Sequence, residues 1–542
     1  MEDLKHFLKK YKIELLILFI SLLFSTWLMF ATFSYDNGDM KIATKAWSDF
    51  ANHIPLIRSF SFGDNFPPQF PLFSGPPIKY HFIFYGLVGI LEKLGIRIDY
   101  ALNIPSILGF SFLILMIYLL AKEIFKSVGV GILSILFFLF HGSLDFINFF
   151  SKYPLSQKTL SQITHNTRFI SFGPYDGNII SAFWNLNIYT NQRHLGLSYG
   201  LSLFIIYLFL KFKKGYHNQN LKKTFVIGLV LGISFLLNIA VFLMTAIVLV
   251  GLLIFLKSLR RYIFISLLVA FIISFPQYLF TQTLSSNFNL TLHLGYLTSE
   301  LNLLTFINYW FQNLGLHLIL IPVSFLIAGK MQKKILIIFF SIFVIGNVLQ
   351  FSPEIAANHK FFNYFMIVSY MFSAFILVKI WNKKYFLKPL VLAIIFLLIL
   401  SGVINFFPIY NDSKISISDY PNNKNVNWIM KNTNPNSVFL NNQYLYDNAS
   451  LAGRKIFLGW PYFAWSQGYD TLSRDNLRKQ LLNTNNKNLF CKIVNEHKLD
   501  YAGFETNLKE VDINLSFFDN NFELVYINPN SGYAIYKINS GC

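Results

Sequence analysis

Charged side chains are scarce in this 542-residue sequence: they make up 13% of it, whereas soluble domains carry about 25%. Apolar residues account for 54% and aromatic residues for 18%, and the mean hydropathy is +0.47. Several apolar runs reach the roughly 17 to 25 residues that cross a bilayer as a helix. The composition therefore excludes a soluble enzyme, a disordered chain and a fibrous protein, and it predicts a polytopic membrane protein.

The sequence also has few cysteines and none of the common nucleotide or zinc motifs. Cys491 and Cys542 are too few for a disulfide framework or a cysteine metal site, and they leave the redox compartment open. There is no Walker loop, no GxGxxG after a strand, no HExxH and no charge deep in an apolar run. Nucleotide-driven pumping, dinucleotide redox chemistry, zinc proteolysis and a membrane proton relay therefore lack support.

The net charge of +19 is unevenly distributed. Residues 409–542 contain 13 Lys and Arg against 12 Asp and Glu, whereas residues 1–408 contain 32 against 14. Because the basic excess lies in short loops between apolar runs, it indicates membrane orientation and not a nucleic-acid site. We therefore expect no nucleic-acid partner, a cytoplasmic N-terminus and cytoplasmic lysine-rich loops.

The apolar runs and basic loops predict a mainly α fold, a transmembrane helical bundle of about eleven passes. The run 11–33 is too long for a signal-peptide core and predicts an uncleaved first helix. The run 80–94 is short, so we expect residues 80–121 to cross the membrane once overall. Residues 224–257, hinged at Asn238, predict a helical hairpin.

Two domains are expected from the change in composition after Tyr410. Residues 1–408 form the membrane module, whose external loops are 34–79 and 142–194. Residues 409–542 form a small α/β domain outside the cell membrane. Strands are predicted in this domain at 437–440, 455–458, 499–504, 522–527 and 533–538, and helices at 426–431 and 472–482.

Acidic residues concentrate in the first external loop, which contains Asp36, Asp39, Asp49 and Asp64. Asp49 and His53 are four residues apart, so a helix would place them on one face. Neighbouring apolar residues predict that this helix lies along the bilayer surface. The pair could act as a general base or hold a divalent cation, or it could merely brace the helix.

A proline-rich stretch follows at residues 63–81, with five prolines and two glycines. Few free dihedrals remain in such a stretch, as a substrate-holding loop or a stiff connector requires. The candidate substrate-binding residues here are Asp64, Lys79, Tyr80 and His81.

Further cations are predicted on the same external side. Arginine offers a planar fork and lysine a point charge, and either suits a phosphate, although interfacial cations often only snorkel toward lipid headgroups. In the C-terminal domain, exposed aromatic rings could stack an acceptor sugar or simply cover the site. The candidates are Arg193, His194, His359, Lys360, Arg454 and Trp460.

Three short motifs resemble the glycosyltransferase-C (GT-C) superfamily of polytopic membrane glycosyltransferases, including an uncharacterised bacterial branch. They are the SDFANH segment around Asp49, the G-x-N-x-P-P … G-P-P-x-x-Y-H stretch of residues 63–81, and LAGRKIFLGWP at residues 451–461. The resemblance implies a GT-C-like fold and sugar transfer from a polyprenyl-phosphate carrier. It also implies that an acid of the first external loop is the catalytic base or a metal ligand.

We carry that role onto Asp49, with His53 beside it. Many relatives have an acidic pair directly after the first helix, which leaves the base open between Asp49 and Asp39. The implied cofactor is at most a divalent cation such as Mg²⁺ or Mn²⁺.

The implied reaction is an inverting hexosyl or pentosyl transfer to a hydroxyl of a glycan, lipid or protein, in the synthesis of a cell-envelope glycan. A non-catalytic transporter or flippase of a lipid-linked glycan is the alternative, because it needs the same basic and aromatic surface but no base.

Overall fold

The structure is a computed structural model that describes residues 9–171, 179–212, 217–281, 290–383, 385–506 and 512–542. The helices of the N-terminal half are α1 Lys12–Thr32, α2 Trp47–Ser61, α3 Ile83–Lys93, α4 Ile98–Phe125, α5 Val128–Leu139, α6 Asp145–Lys152, α7 Thr159–Thr164, α8 Ser181–Trp184, α9 Asn187–Asn191, α10 His194–Leu210, α11 His217–Ile233, α12 Ile239–Phe255 and α13 Arg260–Thr281. Those that follow are α14 Leu303–Leu314, α15 His317–Ile327, α16 Lys330–Val348, α17 His359–Lys383, α18 Lys388–Tyr410, α19 Lys424–Asn432, α20 Asn448–Leu451, α21 Pro461–Trp465, α22 Thr471–Asn483, α23 Lys487–His497 and α24 Leu515–Asn521. The strands are β1 Phe33–Asp36, β2 Asp39–Ala43, β3 Thr291–Leu292, β4 Leu349–Gln350, β5 Lys414–Ser418, β6 Val438–Asn441, β7 Lys455–Ile456, β8 Tyr501–Glu505, β9 Glu523–Asn528 and β10 Tyr533–Lys537.

Many of these helices are strongly apolar, as the composition predicts. The helices α14 and α15 are long and apolar enough to cross a membrane only when taken together, and they are bent by 91° at their junction. The helices α5, α10 and α12 are apolar but shorter. The mainly α, polytopic fold is therefore confirmed. In the described part of the chain, the segments long and apolar enough to cross a membrane are Lys12–Thr32, Ile98–Phe125, Lys257–Thr281, Lys330–Val348, Ile355–Lys383 and Tyr385–Tyr410.

Two local predictions about the helices agree with the structure. The short run at 80–94 forms α3, whose 11 residues rise only about 16 Å, whereas α4, with 28 residues, is long and apolar enough to cross a membrane. The hairpin hinge lies at Asn238, whose side chain accepts a hydrogen bond from the Val241 N–H and thereby caps α12.

The chain divides into two compact units. The first consists of Met1–Ala31, Ser106–Phe275 and Leu290–Ser413, and it holds most of the apolar helices. The second consists of Thr32–Pro105, Pro276–Asn289 and Lys414–Cys542. The predicted first external loop thus folds in the same unit as the C-terminal segment, a grouping that the sequence did not indicate.

The second unit contains two sheets that involve strands distant in sequence. Strand β2 pairs antiparallel with both β1 and β5, so the segment after α18 adds a strand to the hairpin of the first loop. The other sheet has the order β7-β6-β8-β10-β9, with β6 parallel to β7 and β8, and β10 antiparallel to β8 and β9. This second sheet confirms the predicted small α/β domain.

The two cysteines lie together in this domain. A disulfide joins Cys491 on α23 to Cys542, 51 residues further along the chain. Beside it, α23 packs Phe490 and Val494 into the apolar core of the domain. The sequence left the redox state of these residues open, because pairing depends on the fold that brings them together.

Replacing Cys491 with Ser is expected to lower the stability of the domain. Opening a loop of this length lowers the free energy of unfolding by about 4 kcal/mol in the chain-entropy description of disulfides. The thermal unfolding midpoint of the full chain in detergent measures the loss. The matched control is wild-type protein treated with reductant, which should lose as much. An unchanged midpoint in both would contradict a stabilising disulfide.

Candidate functional site

Helix α2 carries the two residues that the sequence singles out, Asp49 and His53, and it forms where the neighbouring apolar residues predict a helix. Its apolar side chains Phe50 and Ile54 are fully buried within the second unit. They do not turn toward lipid, so the prediction of a helix lying along the bilayer surface is corrected. Helix α3 packs closely enough on α2 that a Cβ at Gly89 would lie 2.6 Å from the Ile57 carbonyl.

His53 points into the interior of the second unit. Its Nε2 lies 2.9 Å from the hydroxyl of Tyr85 on α3, and the two rings stack with centroids 4.4 Å apart and an interplanar angle of 22°. Both side chains are at most 1% exposed. The imidazole is therefore held in one orientation, one helical turn from Asp49.

Asp49 is partly exposed and lies among phenols. Burial raises the pKa of Tyr80, and the nearby charge of Asp49 raises it further. The same two causes raise the pKa of Tyr446, whose hydroxyl donates to the Trp47 carbonyl at the start of α2. Tyr80 in turn lies against His81, with ring centroids 3.7 Å apart. The structure thus brings Asp49, Tyr80 and Tyr446 together.

Asp39, the other candidate base, has a different environment. One carboxylate oxygen accepts from Ser416 at 2.6 Å and from the Lys41 ammonium at 3.3 Å, and the other accepts from Asn422 at 3.2 Å. These hydrogen bonds, the one from Ser416 foremost, lower the pKa of Asp39. A carboxylate stabilised in this way is a weaker proton acceptor, so the contacts favour Asp49 as the base.

The proline-rich stretch is held against the C-terminal LAGRKIFLGWP segment by backbone hydrogen bonds. The N–H of Ile456 donates to the Pro71 carbonyl at 2.8 Å, and the N–H of Gly459 donates to the Leu72 carbonyl at 2.8 Å. The N–H of Ser74 donates back to Ile456 at 3.2 Å. Two of the three recognised motifs therefore form one structural element.

Two charged residues of this stretch have partners in the C-terminal segment. The Lys79 ammonium donates to the Gly468 carbonyl at 3.2 Å and lies 4.8 Å from the Tyr469 ring centre. Burial lowers the pKa of Lys79. Asp64 is exposed and accepts a hydrogen bond from Asn436 at 3.2 Å. Both contacts hold the proline-rich stretch against the C-terminal segment, and neither identifies a ligand.

A glycine contact holds the end of α2 against the same C-terminal segment. Gly453 has φ +79°, and a Cβ there would lie 2.5 Å from the Arg58 carbonyl and 2.7 Å from the Gly63 nitrogen. Only glycine adopts this conformation and allows this approach without strain.

Replacing Gly453 with Ala is therefore expected to destabilise the protein by about 2 to 4 kcal/mol, since it adds both strain and overlap. Thermal unfolding of the purified chain measures the effect. Gly86→Ala is the matched control, because a Cβ at this helical glycine would meet its nearest neighbour at 3.8 Å. Equal midpoints for the two variants would contradict the close contact.

Arg454 is a predicted phosphate ligand whose donors are already engaged. Its Nε donates to the Thr433 hydroxyl at 2.9 Å, and its Nη1 donates to the carbonyls of Phe62 and Ala452 at 2.8 and 2.9 Å. Its Nη2 donates to three further backbone carbonyls. With 2% of the residue exposed, these contacts favour a structural role. Trp460, in contrast, is 41% exposed.

In the first unit, the two remaining candidate cation sites are neighbours. Gln192 Nε2 lies 3.5 Å from His359 Nε2, and the Tyr199 hydroxyl donates to the Lys360 carbonyl at 2.9 Å. His194 is fully buried at the start of α10. These contacts join segments more than 160 residues apart.

Arg193 is also buried in this group. Its Nε donates to the Thr190 carbonyl at 2.6 Å and its Nη2 to the Met29 carbonyl at 3.3 Å. Lys360 is the more exposed of the two cations, and it is therefore better placed to meet a phosphate.

A buried ion triad at the far end of α2 escaped the sequence analysis. The Arg58 guanidinium lies 2.7 Å from Asp419 and 3.2 Å from Glu92, measured between nitrogen and oxygen. Ser61 donates to the second oxygen of Glu92 at 2.6 Å. The charged side chains are at most 5% exposed. No local spacing could reveal it, since 361 residues separate Arg58 from Asp419.

A divalent cation would need several donor side chains near Asp49. Within the described ranges of the chain, no three His, Cys, Asp or Glu side chains converge as a metal ion would need. The residues around Asp49 thus do not fit a resident cation, and we derive no step through one.

Comparisons with known proteins show the fold. No family model and no curated protein matches the sequence. The crystal structure of the Archaeoglobus fulgidus oligosaccharyltransferase in complex with Zn and sulfate matches 96% of this chain and 73% of its own, with 13% identity and a TM-score of 0.50. The archaeal oligosaccharyltransferase AglB from Archaeoglobus fulgidus, in complex with an inhibitory peptide and a dolichol-phosphate, matches 98% and 74%, with 13% identity and a TM-score of 0.51.

A third structure, ArnT from Cupriavidus metallidurans in the apo state, matches 100% of this chain and 99% of its own, with 10% identity and a TM-score of 0.46. At 13% identity, the two oligosaccharyltransferase structures show a shared fold over nearly the whole chain. The GT-C-like membrane fold implied by the sequence motifs is therefore confirmed.

Proposed function

We propose that this protein is a membrane glycosyltransferase that moves a sugar from a polyprenyl-phosphate carrier to an acceptor hydroxyl. The observation that carries the proposal is the position of Asp49, a carboxylate held among Tyr80 and Tyr446 on a buried helix of the first loop. The fold supports it, because one structure that shares the fold is an oligosaccharyltransferase in complex with a dolichol-phosphate and an inhibitory peptide.

Asp49 would act as a general base in this reaction. The carrier phosphate is already a competent leaving group, so the protein must orient the acceptor hydroxyl and take its proton late in the transfer. The phenol of Tyr80 stays protonated because burial and the charge of Asp49 raise its pKa, so it can donate a hydrogen bond to the carboxylate or to the sugar. The hydroxyl of Tyr446 already donates to the Trp47 carbonyl. His53, which is hydrogen-bonded to Tyr85, would have a structural role beside Asp49.

We propose Lys360, Arg193, His194 and His359 as candidate ligands of the carrier phosphate. Lys360 is the most accessible of them, and Arg193, His194 and His359 lie in the segments beside it. A cation beside a developing phosphate charge stabilises the transition state more than the ground state. We propose a single in-line displacement of a hexosyl or pentosyl group, which inverts the anomeric centre.

We place the reaction on the extracytoplasmic side of the cell membrane. The lysine-rich loops favour a cytoplasmic N-terminus and an external C-terminal domain. The disulfide between Cys491 and Cys542 supports this orientation, since disulfides persist in oxidising compartments.

A product assay with the purified full chain in lipid vesicles tests the proposal. A panel of polyprenyl-phosphate sugars is supplied together with candidate glycan, lipid and protein acceptors. We expect the sugar to leave one carrier and to appear on one acceptor with the opposite anomeric configuration. The alternative, a flippase, predicts that a lipid-linked glycan crosses the bilayer without being consumed, and that result would replace the transferase proposal.

A further inference from the structure

One edge of the C-terminal sheet presents polar groups that the proposed reaction does not use. Strands β6 and β8 are parallel, and β10 runs antiparallel to β8. The ends of the first two strands and the start of the third therefore meet at one edge, which carries Asn441, Glu505 and Tyr533. Tyr533 and Glu505 are direct cross-strand partners. In open α/β sheets, ligands bind at the carboxyl ends of parallel strands.

Two buried oxygens near this edge lack a hydrogen-bond partner among the residues that the structure describes. They are Oδ2 of Asp447 and the hydroxyl of Tyr533, and each side chain belongs to a residue that is 1% exposed. The other oxygen of Asp447 accepts from the N–H groups of Ala449 and Ser450, at 2.8 and 3.2 Å. Buried polar atoms are nearly always satisfied, so these two oxygens call for a partner.

Glu505 and Tyr533 face each other across the strands, and burial and charge act on them together with Asp447. Burial raises the pKa of Asp447 to about 7, and the charge of Glu505 adds to the rise. The pKa of Tyr533 is raised by burial and then by Asp447 and Glu505. The Asn442 side chain fixes the strand end between them, since it donates to the Glu505 carbonyl at 2.9 Å.

The rim of this edge is aromatic. Trp460 follows β7, the neighbour of β6, and its ring is 41% exposed. It packs edge-on against Tyr444, with ring centroids 5.7 Å apart and an interplanar angle of 88°. Neighbouring strands are about 4.8 Å apart, so the edge from β7 to β10 spans about 14 Å, which is longer than one sugar ring.

The edge also adjoins the proposed base. Tyr446, next to Asp447, donates to the Trp47 carbonyl at the start of α2, and the two rings stack with centroids 6.4 Å apart. The loop 442–447 thus connects the orphaned oxygens to the helix of Asp49.

We propose that this edge is the acceptor subsite of the proposed transferase, and that it binds a carbohydrate whose hydroxyls donate to Asp447, Glu505 and Tyr533. Oxygen acceptors outnumber donors among these groups, which suits a ligand with several hydroxyls, and an exposed indole suits the apolar face of a sugar. A peptide acceptor is less well served. A peptide could add a strand only at the outer edge of β7. Backbone groups there and just after β7 are already hydrogen-bonded to Pro71 and Leu72.

Binding of soluble oligosaccharides to the full chain in nanodiscs tests the inference directly, without a donor. The probes are short gluco-, manno- and galacto-oligosaccharides, and the readout is tryptophan fluorescence. We expect saturable binding of one of them, weakened at least about tenfold, or 1.4 kcal/mol, by Asp447→Asn and by Tyr533→Phe. Asn keeps the helix-capping function of Asp447, so this variant retains the fold. Glu496→Gln, an exposed carboxylate elsewhere in the domain, is the control and should bind as wild type.

A second measurement separates this inference from the proposed function that it rests on. Where the donor is consumed, Trp460→Ala should raise the acceptor KM at least about tenfold, whereas Glu496→Gln should keep the wild-type KM and kcat. Oligosaccharide binding without donor consumption would reject the transferase and keep the subsite. Absence of binding by wild type, equal binding by all variants, or sugar transfer to peptides alone would overturn the subsite.

Discussion

Replacing Asp49 with Asn is expected to lower kcat for sugar transfer by about 10²- to 10⁴-fold, the usual contribution of a positioned general base. Asparagine has nearly the same shape and can still accept a hydrogen bond from Tyr80, but it cannot take up the acceptor proton. The donor KM should change little, because the donor phosphate is assigned to other residues. Initial rates over a range of donor concentrations, in vesicles with equal protein amounts, measure both parameters.

Two other carboxylates of the same loop serve as comparisons. Asp36→Asn is the control, since Asp36 is exposed and its carboxylate accepts a long hydrogen bond, of 3.4 Å, from Asn37. The transfer rate of this variant should equal that of wild type. Asp39→Asn should weaken the β2–β5 contact more than the chemistry, because Asp39 binds Ser416. Full activity of Asp49→Asn together with inactive Asp39→Asn would transfer the role of base to Asp39.

Replacing Arg58 with Met is expected to destabilise the protein by about 3 to 5 kcal/mol, because it leaves two buried carboxylates without their cation. Arg58 bonds Glu92 of α3 and Asp419 beyond β5, so it connects both to the helix that carries Asp49. Thermal unfolding of the purified chain measures the loss. Adding Glu92→Gln and Asp419→Asn to the same chain should restore part of the stability, since the unpaired charges are then removed.

The loss should depend on pH. Burial already raises the pKa of Glu92, and the Arg58 charge opposes that rise, so the variant has a still higher pKa at this carboxyl. A folded-state pKa above the unfolded value stabilises at low pH and loses its effect as pH increases. The deficit of Arg58→Met should thus be smaller at acidic than at alkaline pH.

Lys479→Met is the matched control for the triad. Lys479 lies 2.7 Å from Asp475, its side chain is 53% exposed, and Asp475 keeps a second cation in Arg478 at 3.1 Å. Exposed ion pairs contribute about 0 to 1 kcal/mol, so this variant should unfold near the wild-type midpoint at every pH. Equal losses for the Arg58 and Lys479 variants would show that burial of the triad is not what stabilises it.

The amino-acid sequence by itself determined the local structure of this protein. Long apolar runs fix the membrane helices, and the cap at Asn238 and the alternating strands of residues 438–537 depend on neighbours a few residues away. The apolar residues that flank Asp49 and His53 likewise predicted α2. In each case the hydrophobic period and the capping chemistry act within one or two turns of chain, where a pattern is visible in the sequence.

Only the tertiary structure decided which distant segments meet. It paired β2 with β5, joined Pro71 to Ile456, and formed the triad of Arg58 with Glu92 and Asp419. It also buried the apolar side chains of α2, a helix that the sequence predicted to lie along the bilayer surface. Such contacts are selected by packing and by the high cost of an unpaired buried charge, and neither depends on separation along the chain.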